Sequence, residues 1–340
     1  MVGCGFIGRV HSWAYWALRK ANLFDAAITA VCDRDPRRAA DLAKPHDAEV
    51  LSLDALIGSV DVVYVCTPTV EHVAVCEAAA DRGLAVFCEK PLARDLAGAE
   101  RVARALKRVP HRVGLVLRAA PVFSALREII SSGRYGRPMA LTLHDDQYFP
   151  IQGQYASTWR SDHAIAGGGT LIEHSIHDVD LFRWLLGEPA SVSCRTASFF
   201  GHPGIEDLAV ATFDFDGGSV ASLTSVWHQV TTRGSTRRVE VFFEQAHLWT
   251  QDDNTGPLHV ENSSGTEVIE CPPPAWVDDL EVPEQFRRTL GLYTEANRRF
   301  LEAVASGSTG SPDATDAVAA HLLVDAAYRS ATEGGRLTVV

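Results

Sequence analysis

From Val2 to about Val116 the chain alternates short apolar runs with amphipathic or Ala-rich stretches. Ala27–Cys32, Val60–Cys66, Ala85–Cys88 and Arg112–Val116 read as strands. His11–Ala21, Pro36–Ala43, His72–Arg82 and Leu96–Lys107 read as the helices between them. Strands that are apolar throughout, alternating with helices, predict a doubly wound parallel sheet covered on both faces.

The pattern then changes. Pro121–Ser132 reads as a helix closed by a Gly/Pro turn, and Met139–His144 as one strand. A loop rich in aromatics and amides follows (145–162), and then the segment GGGTLIEHSIHDVDLFRWLLG, a helix opened by glycines. Between 190 and 270 five strand-like stretches recur: ASVSCRTASFF, DLAVATFDF, SVASLTSVWH, RRVEVFFEQAHLW and TEVIEC. Asp216-Gly217-Gly218 supplies a hairpin turn between two of them. Helices over Phe286–Ser306 and Thr315–Ala331 close the chain. The expectation is an α/β domain over 1–118 and an α+β domain with a mostly antiparallel open sheet over 119–340. Alternating small and apolar residues Ala209, Ala211, Ala221 and Leu223 are read as the sheet's outer face. Covering that face predicts a homodimer or homotetramer joined through the sheet.

Composition narrows the class. A chain of 340 residues, 46% apolar, can build two cores. A net charge of −12 disfavours nucleic acid and anionic membranes, so a small molecule is the expected partner. The seven cysteines (4, 32, 66, 76, 88, 194, 271) are odd in number and form no CxxC pair. That fits buried thiols in a reducing cytoplasm better than a disulfide framework. The sequence shows no export signal and no apolar run of about 18 residues, so neither a membrane span nor secretion is expected.

Gly3, Gly5 and Gly8 spell the GxGxxG turn that cradles a pyrophosphate at a helix start. Asp33, 25 residues beyond Gly8, ends the next strand, where a carboxylate accepts from adenosine ribose hydroxyls. Asp35 before Pro36 is read as a helix cap. Asp33 favours NAD. Arg34, Arg37 and Arg38 keep NADP open, because they could meet a 2′-phosphate. Only Met1 and Val2 precede the turn, so a short first strand is expected; the missing part is read as a matter of the start site, which apolar codons upstream would show. The strand ends Cys66-Thr67-Pro68, with His72 one turn on, and Glu89-Lys90-Pro91 lie at the carboxyl edge of the sheet. Ligands bind at that edge in such folds. At about 100° per residue, Glu173, His177 and Asp180 would share one face of a helix.

GCGFIG, CTPTVEH, EKP and GGGTLIEHSIHDVD occur in this order, with LREIISSGRYGRP and a closing AAYRSATEGGRLTVV. The set resembles the Gfo/Idh/MocA family of nicotinamide-dependent sugar and cyclitol oxidoreductases over almost the whole chain. The resemblance implies a Rossmann domain followed by an α+β substrate domain. It implies an NAD or NADP site lined by Gly3, Gly5, Phe6, Ile7, Gly8, Asp33, Arg34, Cys66, Thr67, Pro68, His72, Glu89 and Lys90. The family's GGGxxxDxGxHxxD pattern puts its acidic position on Glu173, its histidine on His177 and its last Asp on Asp180. Glu173 and Ser175 depart from the usual Asp and Gly.

In this reading Lys90 and His177 both bond the reacting oxygen of a polyhydroxylated substrate. His177 is the main proton acceptor, Lys90 polarises the oxygen, and Glu173 orients His177 or binds a neighbouring hydroxyl. Gln147, Tyr148, Trp159, Arg160 and Asp162 are expected to touch substrate, as is Arg118, although RAA lacks the family's usual aromatic after Arg. His174, His177, Asp178 and Asp180 are also metal-ligand types, but Asp178 would point away from Asp180, and no metal is expected. Two other functions fit the same motifs: an NAD-retaining glycoside hydrolase working by transient oxidation and elimination, and a non-catalytic dinucleotide-binding regulator.

Overall fold

The computed structural model describes residues 1–277 and 284–340. The chain divides into two compact units, Met1–Val116 with Pro274–Val318, and Leu117–Pro273 with Ala319–Val340. The sequence reading puts one boundary at 118/119. The segment 274–318, placed by that reading in the second domain, packs instead with the first unit.

In the first unit, Val62–Val65, Ala85–Cys88 and His111–Val113 form a parallel sheet, and Ala30–Val31 pairs in parallel with Glu49–Val50. Val2 joins the two sheets by bridging to both Cys32 and Val65. This is the short first strand expected, and it gives the 3-2-1-4-5-6 strand order of a doubly wound Rossmann sheet. The turns obey local chemistry. Asp35 Oδ1 accepts from the Arg37 N–H to start Pro36–Ala43, and Asp95 Oδ1 accepts from the Gly98 N–H to start Leu96–Leu106. The helix Glu284–Ala305 packs along Phe6–Lys20. From it, Phe300 and Leu301 enter the core formed by Tyr15, Leu18, Tyr64 and Phe87.

The second unit is built on a nine-stranded sheet. From one edge its order runs Gly265–Ile269, Leu258–Asn262, Ala246–Thr250, Thr236–Phe243, Pro138–Tyr148, Val220–His228, Leu208–Phe215, Pro189–Ala197 and Thr338–Val339. Every pairing is antiparallel except that of Pro138–Tyr148 with Val220–His228. The stretch RRVEVFFEQAHLW divides into two strands around Glu244 and Gln245, and Leu258–Asn262 is a strand the sequence reading did not place. Pro121 begins and Gly133, at φ +64°, ends the helix Pro121–Ser132.

Two expectations about this unit are corrected. Ala209, Ala211, Ala221 and Leu223 are almost completely buried, so they face the core. The outer face carries the alternate residues, among them Val210 and Thr212 on the same strand and Phe242 on Thr236–Phe243. The second correction concerns GGGTLIEHSIHDVD. It forms two helices, Thr170–Glu173 and Ile176–Leu186, interrupted at His174 and Ser175. Glu173 therefore does not share one continuous helical face with His177 and Asp180.

Candidate active site

The cofactor side lies in the first unit. Gly3 adopts φ +92°, and a Cβ there would run into the Cys66 carbonyl; a Cβ on Gly8 would strike the Gly3 carbonyl. A Cβ on Gly5, in contrast, would meet nothing within 4 Å. Gly5 is the N-cap of Phe6–Lys20, no side chain caps that helix, and no acidic residue occupies its first turn. Two glycines thus permit tight packing, and the third leaves open space at N–H groups suited to a phosphate. Asp33 closes the turn, its Oδ2 accepting from the Cys4 N–H at 2.7 Å and its Oδ1 from the Asp35 N–H at 2.8 Å. Thr67 Oγ1 is buried without a hydrogen-bond partner, a group a polar ligand could satisfy. These features fit a dinucleotide.

His72 and Glu89, both expected at the cofactor, are engaged by the protein. The His72 ring bridges the Pro91 and Thr67 carbonyls at 2.9 and 3.0 Å, tying the two strand-end turns together. Glu89 is buried; its Oε1 lies 2.8 Å from His11 Nε2, and its Oε2 accepts from the Lys90 backbone N–H at 3.2 Å. Lys90 itself is half-buried. His11 was not singled out from sequence. Its one available signal was its place three residues after Gly8.

The second unit collects the remaining residues. Glu206 accepts from the Gly169 and Leu171 N–H groups at 2.8 and 2.9 Å and from the Tyr328 hydroxyl at 2.9 Å. It thereby clamps the glycine turn that begins Thr170–Glu173. Burial pushes the Glu206 carboxyl up, against the pull of these donors. Glu173 is buried and pairs with Arg160 Nε at 3.0 Å, while the Arg160 guanidinium lies 4.4 Å from the centre of the Trp159 ring. Tyr148 is buried, packs beside Tyr155 at 5.3 Å and accepts from the Gln154 N–H. Asp162 caps His163–Ala166. Arg118, expected to meet substrate, forms a buried two-pronged pair with Asp180 at 2.8 and 2.5 Å. His177 is buried at the start of Ile176–Leu186.

Beneath this segment, Arg237 serves three carboxylates: Asp178 at 2.6 Å, Asp145 at 3.0 Å and Asp253 at 2.6 Å. His174 Nε2 lies 2.9 Å from Asp145. Burial alone would raise the Asp145 carboxyl, but Arg237 and His174 hold it well below the usual carboxylate range. Burial pushes Asp178 well above that range; Arg237 pulls against it and Asp145 adds to it. Of the ligand-type residues of this segment, His174 pairs with Asp145, Asp178 with Arg237 and Asp180 with Arg118. Among the described residues, no group of three or more His, Cys, Asp or Glu side chains could hold a metal ion. No helix among them is long and apolar enough to cross a membrane.

Comparison with known proteins agrees with this architecture. Residues 1–116 match the oxidoreductase family with an NAD-binding Rossmann fold, and residues 123–249 match the GFO/IDH/MocA C-terminal domain. The chain belongs to the Gfo/Idh/MocA oxidoreductases, enzymes whose first domain binds NAD. It is 31% identical to an inositol 2-dehydrogenase of Rhizobium meliloti over all of this chain and 98% of the relative. A 1,5-anhydro-D-fructose reductase of Ensifer adhaerens is 28% identical over 80% of this chain and 82% of its own. The fold is shared with a levoglucosan dehydrogenase solved with NADH and levoglucosan, at TM-score 0.87 and 23% identity, covering 100% of this chain and 97% of that one.

Proposed function

We propose that the protein transfers a hydride between a nicotinamide and a secondary alcohol or ketone of a sugar, sugar derivative or cyclitol. The observation that carries this reading is the pairing of an open glycine turn at Gly3–Gly8 with a strand-end lysine whose backbone is held by a buried carboxylate. The named relatives, which include inositol and anhydro-sugar enzymes, support the substrate class.

The nicotinamide, when bound, supplies the hydride acceptor or donor. Lys90 would polarise the reacting oxygen, and His177 would take its proton in oxidation and return it in reduction. Glu173, with Arg160 as its partner, would bind a neighbouring hydroxyl. Trp159 offers an aromatic face, and Tyr148 a hydroxyl, to a polyhydroxylated ring. The enzyme would work in the cytoplasm as a homodimer or homotetramer covering the outer face of the sheet. On that face Phe242, His247, Trp249 and His259 stack in a ladder with ring centres 4.2 to 5.0 Å apart.

The test is a panel of inositols and aldoses with NAD and NADP, read by the absorbance of reduced nicotinamide. At least one substrate should react. Lys90→Met should abolish the signal while leaving dinucleotide affinity nearly unchanged; normal turnover by that variant would sink the mechanism.

A further inference from the structure

We infer that His11, backed by Asn297, is a positioning residue for Lys90 that acts through the Glu89 carboxylate. The inference rests on the reading that Lys90 acts at the reacting oxygen, and it adds a residue to which that reading assigns no part.

His11 is fully buried in the helix that follows the glycine turn. Its Nε2 lies 2.8 Å from Glu89 Oε1 and its Nδ1 2.9 Å from Asn297 Oδ1. The ring is wedged edge-on between Tyr64, Phe87 and Tyr293, with centres 5.3, 4.8 and 5.3 Å away. It therefore has one orientation. The contact seats Glu89 Oε1 against Nε2, a ring nitrogen able to donate to it.

Glu89 is also confined by backbone. A Cβ on Gly114 would lie 2.6 to 2.9 Å from its carboxylate atoms, so the backbone at Gly114 packs directly against the acid. The remaining oxygen, Oε2, accepts from the Lys90 backbone N–H. A fixed imidazole thus sets the carboxylate, and the carboxylate sets the backbone from which the Lys90 side chain departs. A buried carboxylate robbed of its cationic or donor partner would turn toward solvent or take up a proton, and either change releases Lys90. Catalytic geometry is sensitive to such shifts, since a misplacement of about 1 Å can cost on the order of 100-fold in rate.

Two near-isosteres separate positioning from mere filling of space. The amide nitrogen of Gln can overlay Nε2 and still donate to Glu89. Asn reaches only as far as Nδ1, so it can keep the contact with Asn297 but loses Glu89. In the NAD-loaded enzyme, His11→Gln should keep kcat within about threefold of wild type, and His11→Asn should lower it about 10- to 100-fold. In both variants KM for the alcohol and the NADH dissociation constant, read by NADH fluorescence, should stay within about threefold. Hydrogen exchange in the peptide carrying Lys90 should quicken in His11→Asn and not in His11→Gln, a readout that needs no turnover. Wild-type kcat and exchange in His11→Asn, or equal losses in the two variants, would overturn the inference. If neither variant folds, Asn297→Ala and Gly114→Ala carry the test: each should lower kcat with KM unchanged, and unaltered kcat in both overturns it. Lys90→Met runs alongside. If it keeps wild-type turnover, the reading of Lys90 has failed; if it is dead while His11→Asn is fully active, only this inference has.

Discussion

Replacing Asp178 with Asn tests the electrostatics beneath His177. Asp178 and Asp145 are completely buried and share Arg237, at 2.6 and 3.0 Å, with Asp253 as a third acid at 2.6 Å. Three ionised acids facing one guanidinium would bury excess negative charge, so burial and the neighbouring Asp145 favour the protonated form of Asp178 in the native state. In the unfolded chain Asp178 ionises near its ordinary value of about 3.9. Between that value and the raised native one, the native state binds one proton more than the unfolded state. Wild-type stability therefore falls by about 1.4 kcal/mol for each unit of rising pH from this group alone. Asp145 works in the opposite sense: its depressed native value contributes stability that is lost as pH falls. An Asn at 178 can donate its amide to Asp145 and offer its oxygen to Arg237, with no proton to hold. Near pH 4 the two proteins should differ by no more than about 1 kcal/mol. Urea unfolding at pH 5 and pH 7, followed by circular dichroism, should show Asp178→Asn gaining on wild type as pH rises, with a slope of at most about 1.4 kcal/mol per unit. A difference that stays constant with pH would show that Asp178 is ionised in the folded protein and refute the reasoning.

Two further expectations follow from the geometry. Gly3→Ala puts a Cβ into the Cys66 carbonyl at a φ of +92°, so it should lower both the melting temperature and NADH affinity, the latter measured by fluorescence titration. Arg118→Met breaks the buried pair with Asp180 and should cost about 3 kcal/mol in urea unfolding; Arg118→Met with Asp180→Leu, which removes both charges, should recover most of that loss.

Features set by neighbours in the chain were legible in the sequence. The Asp35–Pro36 start of a helix, the Pro121–Gly133 bounds of another, the Asp216-Gly217-Gly218 hairpin and the Gly3–Gly8 turn all rest on the backbone preferences of a few adjacent residues. The order of motifs, read as a resemblance, named the family that comparison then showed. What the sequence could not decide were choices with two locally equal answers. In Leu208–Phe215 both alternating sets contain apolar residues, so the buried face depends on what packs against the sheet, and a one-residue slip exchanges the two. The apolar periodicity around Glu173 suits a continuous helix as well as the observed pair, and the break at His174–Ser175 accompanies the pull of Asp145 on both side chains. The sequence placed Glu89 at the cofactor beside Lys90, but its side-chain partner, His11, lies 78 residues away, and Asn297 behind that is 286 residues further along from His11. Hydrogen bonds between buried polar groups leave no periodic trace in the chain, because each is a pairing of two positions brought together by packing. The tertiary structure alone decided which acids hold the backbone and which pair with side chains.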